Sequence, residues 1–164
     1  MKFSVEAFRQ WEHKKITLLG MSGVGKTHIS SLLRRHDWFH YSGDYRIGTR
    51  YLDEDILDMI KAKAMEVPFL RELLRNDWIH ISNNIKIADL GPVLAFVGKL
   101  GNPELGGVEL ADFQRRQALY REGEIAAMHD VPKFIDKAQD VYDYHHFIDD
   151  AGGSLSELDE PGVI

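Results

Sequence analysis

Apolar and polar positions along the chain fall into two kinds of segment. Short runs dominated by β-branched or aromatic residues read as strands: Ile16-Thr17-Leu18-Leu19, the stretch Asp37-Trp38-Phe39-His40-Tyr41-Ser42 closed by a Gly-Asp turn, and His145-His146-Phe147-Ile148-Asp149. Elsewhere the apolar residues recur at helical spacing. Ile29, Leu32 and Leu33 mark one side of a helix from Thr27 to Arg35, and Ile56, Leu57, Ile60 and Ala64 follow an acidic start, Asp53-Glu54-Asp55, that suits a helix N-terminus. Pro68 opens a further helix with Phe69, Leu70, Leu73 and Leu74 as its stripe. Asp89 caps another through Val93, Leu94, Val97 and Leu100, which Gly101-Asn102-Pro103 ends. After the loop Leu105-Gly106-Gly107, a helix runs through Leu110, Phe113, Gln117 and Tyr120, and Asp130-Val131-Pro132 opens a last one carrying Phe134, Ile135, Ala138, Val141 and Tyr142. Residues 1–15, with Phe3, Val5, Phe8 and Trp11 among charges, form a packed leader, and Trp78-Ile79-His80-Ile81 reads as a short strand or as the end of the preceding helical unit.

Strands separated by helical segments predict an α/β domain with a parallel sheet. Between the first strand and the first helix lies Gly20-Met21-Ser22-Gly23-Val24-Gly25-Lys26-Thr27, a G-x-x-x-x-G-K-T phosphate-binding loop in the strand–loop–helix order that the motif needs. Glycines at 20, 23 and 25 allow backbone turns that a side chain would forbid, so successive N–H groups can converge on a polyphosphate. Lys26 would bring a compact charge to the β- and γ-phosphates, Thr27 would ligate Mg²⁺, and the helix would direct its positive end at the same oxygens. The nucleotide contacts are therefore expected from Gly20, Ser22, Gly23, Val24, Gly25, Lys26, Thr27 and His28. A hydrophobic strand ending in aspartate supplies the matching metal side, and Asp149 is the first candidate with Asp150 the second.

Tyr41-Ser42-Gly43-Asp44-Tyr45-Arg46, taken with the phosphate loop, resembles the nucleoside monophosphate and shikimate-type small-molecule kinase branch of the P-loop NTPases over residues 14–50. Gly152-Gly153 is similar to the glycine pair after the third strand of shikimate-type kinases. The resemblance implies a P-loop NTPase-like three-layer α/β/α fold, an acceptor-orienting Asp44, and Arg46, with Arg50 as a further candidate, on the acceptor's phosphate or carboxylate. The arginine of adenylate-type motifs stands one residue further from the aspartate than Arg46 does. The expected function is Mg²⁺-dependent phosphoryl transfer from ATP (or GTP) to a small-molecule acceptor, or ATP hydrolysis. The alternatives are an ATPase that couples hydrolysis to conformational change and a catalytically inactive nucleotide-sensing or protein-binding module from a truncated P-loop protein. Lys26, Asp44, Arg46 and Asp149 are the expected catalytic set, with Thr27 and Asp149 on the metal. Arg115, Arg116 and Arg121 could also reach a transferring phosphoryl group.

Length and composition narrow the picture further. A chain of 164 residues with 44% hydrophobic positions reads as one P-loop NTPase-like domain over 1–164, with 14–52 and 131–153 as nucleotide-binding core, 53–130 as a mostly helical insertion after the second strand, and 154–164 as a tail. The net charge of −6 argues against a broad nucleic-acid-binding face, and the absence of cysteine excludes disulfides and thiolate metal sites. No apolar run reaches the length of a membrane span and the N-terminus lacks a signal-peptide core, so a cytoplasmic protein is expected. Three candidate strands make an incomplete sheet, with an unpaired edge beside the loop-bearing strand. The chain is accordingly expected to be part of a longer or truncated protein, or to complete its sheet in a homo-oligomer.

Overall fold

The computed structural model describes residues 4–21 and 23–153. Ser22, Phe3 and the expected tail at 154–164 lie outside the described residues. The elements in chain order are α1 (Val5–Gln10), β1 (Lys15–Leu18), α2 (Lys26–Leu33), β2 (Trp38–Ser42), α3 (Gly43–Arg46), a π-helical turn (Ile47–Tyr51), α4 (Asp53–Met65), α5 (Pro68–Arg75), α6 (Gly91–Val97), a 3₁₀ turn (Pro103–Leu105), α7 (Leu110–Asp140) and β3 (His146–Asp150). This is an α/β chain with a small parallel sheet and many helices.

Two compact units divide the chain, one built from the described parts of 1–43 and 128–164, the other from 44–127. The first boundary therefore falls between Gly43 and Asp44, ahead of the expected insertion at 53, and it places Asp44 and Arg46 in the second unit.

The first unit holds a three-stranded parallel sheet in the order β1-β3-β2. Thr17 pairs with Asp149 and Leu18 with Asp150 on one side of β3, while Tyr41 pairs with Asp149 and Ser42 with Asp150 on the other. Because side chains alternate along a strand, His40, Ser42, Ile148 and Asp150 share one face, and Phe39, Tyr41, Phe147 and Asp149 share the opposite one. That second face is the core of the unit. Tyr41, Phe147 and Phe39 pack there with Val131, Phe134, Ile135 and Ala138 from the last turns of α7. The first face receives α2. Among the described residues β1 pairs on one side only, which is the edge position expected for the loop-bearing strand.

The second unit is helical. Ile47, Leu52, Ile56, Ile85, Val93, Phe96 and Ala127 form its buried centre. Gly48 and Gly123 are space requirements: a Cβ on Gly48 would lie 2.4 Å from Val93 Cγ2, and one on Gly123 would meet Ile47 and Tyr51 at 3.2 and 3.3 Å.

Three local expectations need correction. Residues 110–120 and 130–142 do not form two helices but one, α7, whose 31 residues run through Pro132. The reason lies in 121–129, which apart from Gly123 is made largely of good helix formers, so the missing Pro132 N–H costs one hydrogen bond without ending the element. Trp78–Ile81 is irregular chain with Trp78 exposed, so it adds no strand. The helix after Asp89 stops at Val97, because Gly98 takes φ +67° and a Cβ there would stand 2.6 Å from Val108.

Candidate functional site

The loop between β1 and α2 is shaped by its glycines. Gly20, Gly23 and Gly25 have φ of 150°, 85° and 96°. A Cβ on Gly23 or Gly25 would meet nothing within 4 Å, so backbone conformation and not crowding is what calls for glycine there. Gly25 caps α2 in the left-handed region with no side-chain cap, and no acidic residue stands in the first turn. The positive end of that helix is thus left uncompensated by its own side chains. Lys26 Nζ donates to Gly20 O at 2.7 Å and to Met21 O at 3.1 Å, folding the lysine back over the loop. Val24 and His28 are exposed.

At the other end of the site stands the last residue of β3. Thr27 Oγ1 donates to Asp150 Oδ2 at 2.6 Å. His40 Nε2 lies 3.8 Å from the same oxygen, in ion-pair range but beyond a hydrogen bond, and both ring nitrogens of this buried histidine lack hydrogen-bond partners. Burial pushes the Asp150 carboxyl up, but the His40 ring, the Thr27 hydroxyl and the Lys26 charge outweigh it and hold it below the usual carboxylate range. Gly43 lets the end of β2 close on this corner, since a Cβ would stand 3.3 Å from Gly152 N and 3.4 Å from Asp150 O.

Asp149, the first candidate for the metal, points to the opposite face of the sheet. It is 1% exposed and neither carboxylate oxygen has a hydrogen-bond partner. Burial pushes its pKa up to about 7; the neighbouring Thr17 hydroxyl, outside hydrogen-bonding geometry, tempers the shift and the Asp150 charge adds to it. The carboxylate that meets Thr27 is Asp150, the second candidate.

The acceptor-side residues lie in the second unit. Tyr120 Oη donates to Asp44 Oδ1 at 2.8 Å, and burial, followed by the Asp44 charge, pushes the Tyr120 hydroxyl far above the usual tyrosine range. The Arg46 guanidinium sits over the Tyr51 ring at 5.7 Å. Arg116 binds Asp112, donates to Phe96 O at 2.9 Å and lies over the Phe96 ring, which ties α7 to α6, and Arg115 also pairs with Asp112. These two arginines do structural work. His40 and Tyr120 were not legible as site residues, because their partners are set by strand register and by helix packing; the only local signal was that His40 and Ser42 alternate onto one face.

Among the described residues no group of three or more His, Asp or Glu side chains could hold a metal ion unaided. A hydroxyl and a carboxylate kept ionised are nevertheless the hard oxygen donors that Mg²⁺ takes from a protein when phosphates and waters complete its shell. The donor set therefore fits Mg²⁺ accompanied by a phosphate ligand. No family model matches the chain, and no curated protein or solved structure does. No described helix is long and apolar enough to cross a membrane.

Proposed function

We propose that this chain binds ATP (or GTP) with Mg²⁺ as a P-loop protein and uses the γ-phosphoryl group in transfer to water or to a small-molecule acceptor. The observation that carries the reading is the 2.6 Å hydrogen bond between Thr27, in the first turn of α2, and Asp150, at the end of β3. That contact brings together the end of a G-K-T motif and a buried strand-terminal carboxylate, which lie far apart in sequence and have no common local cause.

Mg²⁺, when bound, would supply positive charge against the phosphates. Thr27 and Asp150 would hold it. The backbone N–H groups of the loop and of the first turn of α2 stabilise negative charge on the phosphates. Lys26 exchanges the carbonyls of Gly20 and Met21 for phosphate oxygens. His40, buried beside Asp150, helps to keep the carboxylate ionised. The acceptor side of the reading rests on the family resemblance at Asp44 and Arg46.

Calorimetric titration with Mg·ATP tests the proposal. Lys26→Ala should weaken binding at least tenfold, the scale of one charge-assisted contact of about 1.5–3 kcal/mol. Unchanged affinity in Lys26→Ala, or no binding by the unaltered chain, would overturn it.

A further inference from the structure

At the end of the sheet remote from the glycine-rich loop, where the three strands begin, a cavity of about 600 Å³ is lined by histidines and charged side chains. We propose that these residues form a proton-operated clasp: protonation of His146 breaks the hydrogen bond that fastens the Trp11–Lys14 segment to β3 and releases the entry to β1.

The geometry decides the direction. Lys14 N donates to His146 Nδ1 at 3.2 Å, so this ring nitrogen must be an acceptor and the ring's proton stands on Nε2. An imidazolium carries N–H on both nitrogens and cannot accept. Adding a proton to His146 therefore removes the bond, and sets two N–H groups against each other, in a residue that is only partly exposed. Beside it, Phe147 N donates to Lys14 O at 2.8 Å, a main-chain bond between the same segment and β3.

Charged and aromatic groups surround this hydrogen bond. His13, at φ +46°, stacks on His145 with ring centroids 6.1 Å apart and planes 7° from parallel. His145 Nδ1 lies 2.6 Å from Asp37 Oδ2. Lys14, Lys15 and Arg9 add positive charge around His146, opposed by Glu12 and Asp37. Gln139, the neighbour contributed by α7, is neutral. Burial, then the Lys14 charge, hold His146 below the usual histidine range. A histidine held neutral in this way contributes stability that is complete above its unfolded pKa and is lost as the pH falls from there through its lowered folded value. The clasp is thus shut at neutral pH and opens in mild acid.

Amide hydrogen exchange on the whole chain, read as protection factors to remove the intrinsic pH dependence, tests this. Between about pH 7.5 and about pH 5 the Lys14 amide should lose about tenfold in protection, the scale of one hydrogen bond. Its midpoint should coincide with that of the His146 ring protons followed by NMR, while amides within β3 keep their protection. His146→Asn places a non-titrating acceptor near the position of Nδ1 and should abolish the loss. Constant Lys14 protection while His146 titrates, parallel loss throughout β3, or an unaltered loss in His146→Asn would each overturn the clasp. If the variant fails to fold, the two midpoints in the unaltered chain decide: disagreement between them overturns it.

Discussion

Thr27 Oγ1 and Asp150 Oδ2 stand 2.6 Å apart although the two residues are separated by most of the chain. The contact exists because α2 descends on the face of β3 that carries Asp150, and Asp149, one residue earlier, necessarily points the other way. In consequence Asp150→Asn should lose most of the Mg²⁺ dependence of nucleotide affinity, with Mg·ATP binding weakened about tenfold or more. Calorimetry with and without Mg²⁺ measures it. Asp149→Asn should leave that dependence intact.

The buried Asp149 carboxyl, with a pKa of about 7 against an ordinary value of 3.8, makes stability pH-dependent in a defined sense. The folded state binds the extra proton, so stability falls as the pH rises from about 4 to about 7 and the full penalty is present above that. Asp149→Asn removes the charge at nearly constant shape. Denaturant melts at about pH 8 should show the variant more stable by about 2–4 kcal/mol, and the difference should vanish near pH 4. A variant less stable at the higher pH would contradict the burial argument.

Gly48 sits where a methyl group would press on Val93 at 2.4 Å. Valine is stiff at χ1 and its neighbourhood is the centre of the second unit, so little room can be made. Gly48→Ala should destabilise by about 1–3 kcal/mol in a denaturant melt, against the usual stabilising effect of alanine over glycine in helical backbone.

The Tyr120 hydroxyl donates to Asp44 in a partly buried setting. Tyr120→Phe leaves the carboxylate short of a donor and should cost about 1–3 kcal/mol of stability. The variant should remove no step from the near-ultraviolet tyrosine titration, because the Tyr120 hydroxyl is pushed beyond the range in which it would ionise.

Features with local causes were legible in the sequence. The three strands follow from β-branched and aromatic runs, and β1, β2 and β3 each lie within a residue of the expected bounds at either end. The positive φ of Gly23 and Gly25, and a lysine and threonine opening the following helix, follow from the motif itself. Tertiary structure decided what depends on pairing and packing. Adjacent carboxylates alternate across a strand, so which of Asp149 and Asp150 meets Thr27 depended on the face that α2 covers. His40 became a neighbour of Asp150 only through the parallel register of β2 with β3. Asp44 and Arg46 follow the loop closely in sequence, yet belong to a second core held by Ile47, Leu52 and Phe96, because burying those large side chains outweighs sequence proximity to the sheet.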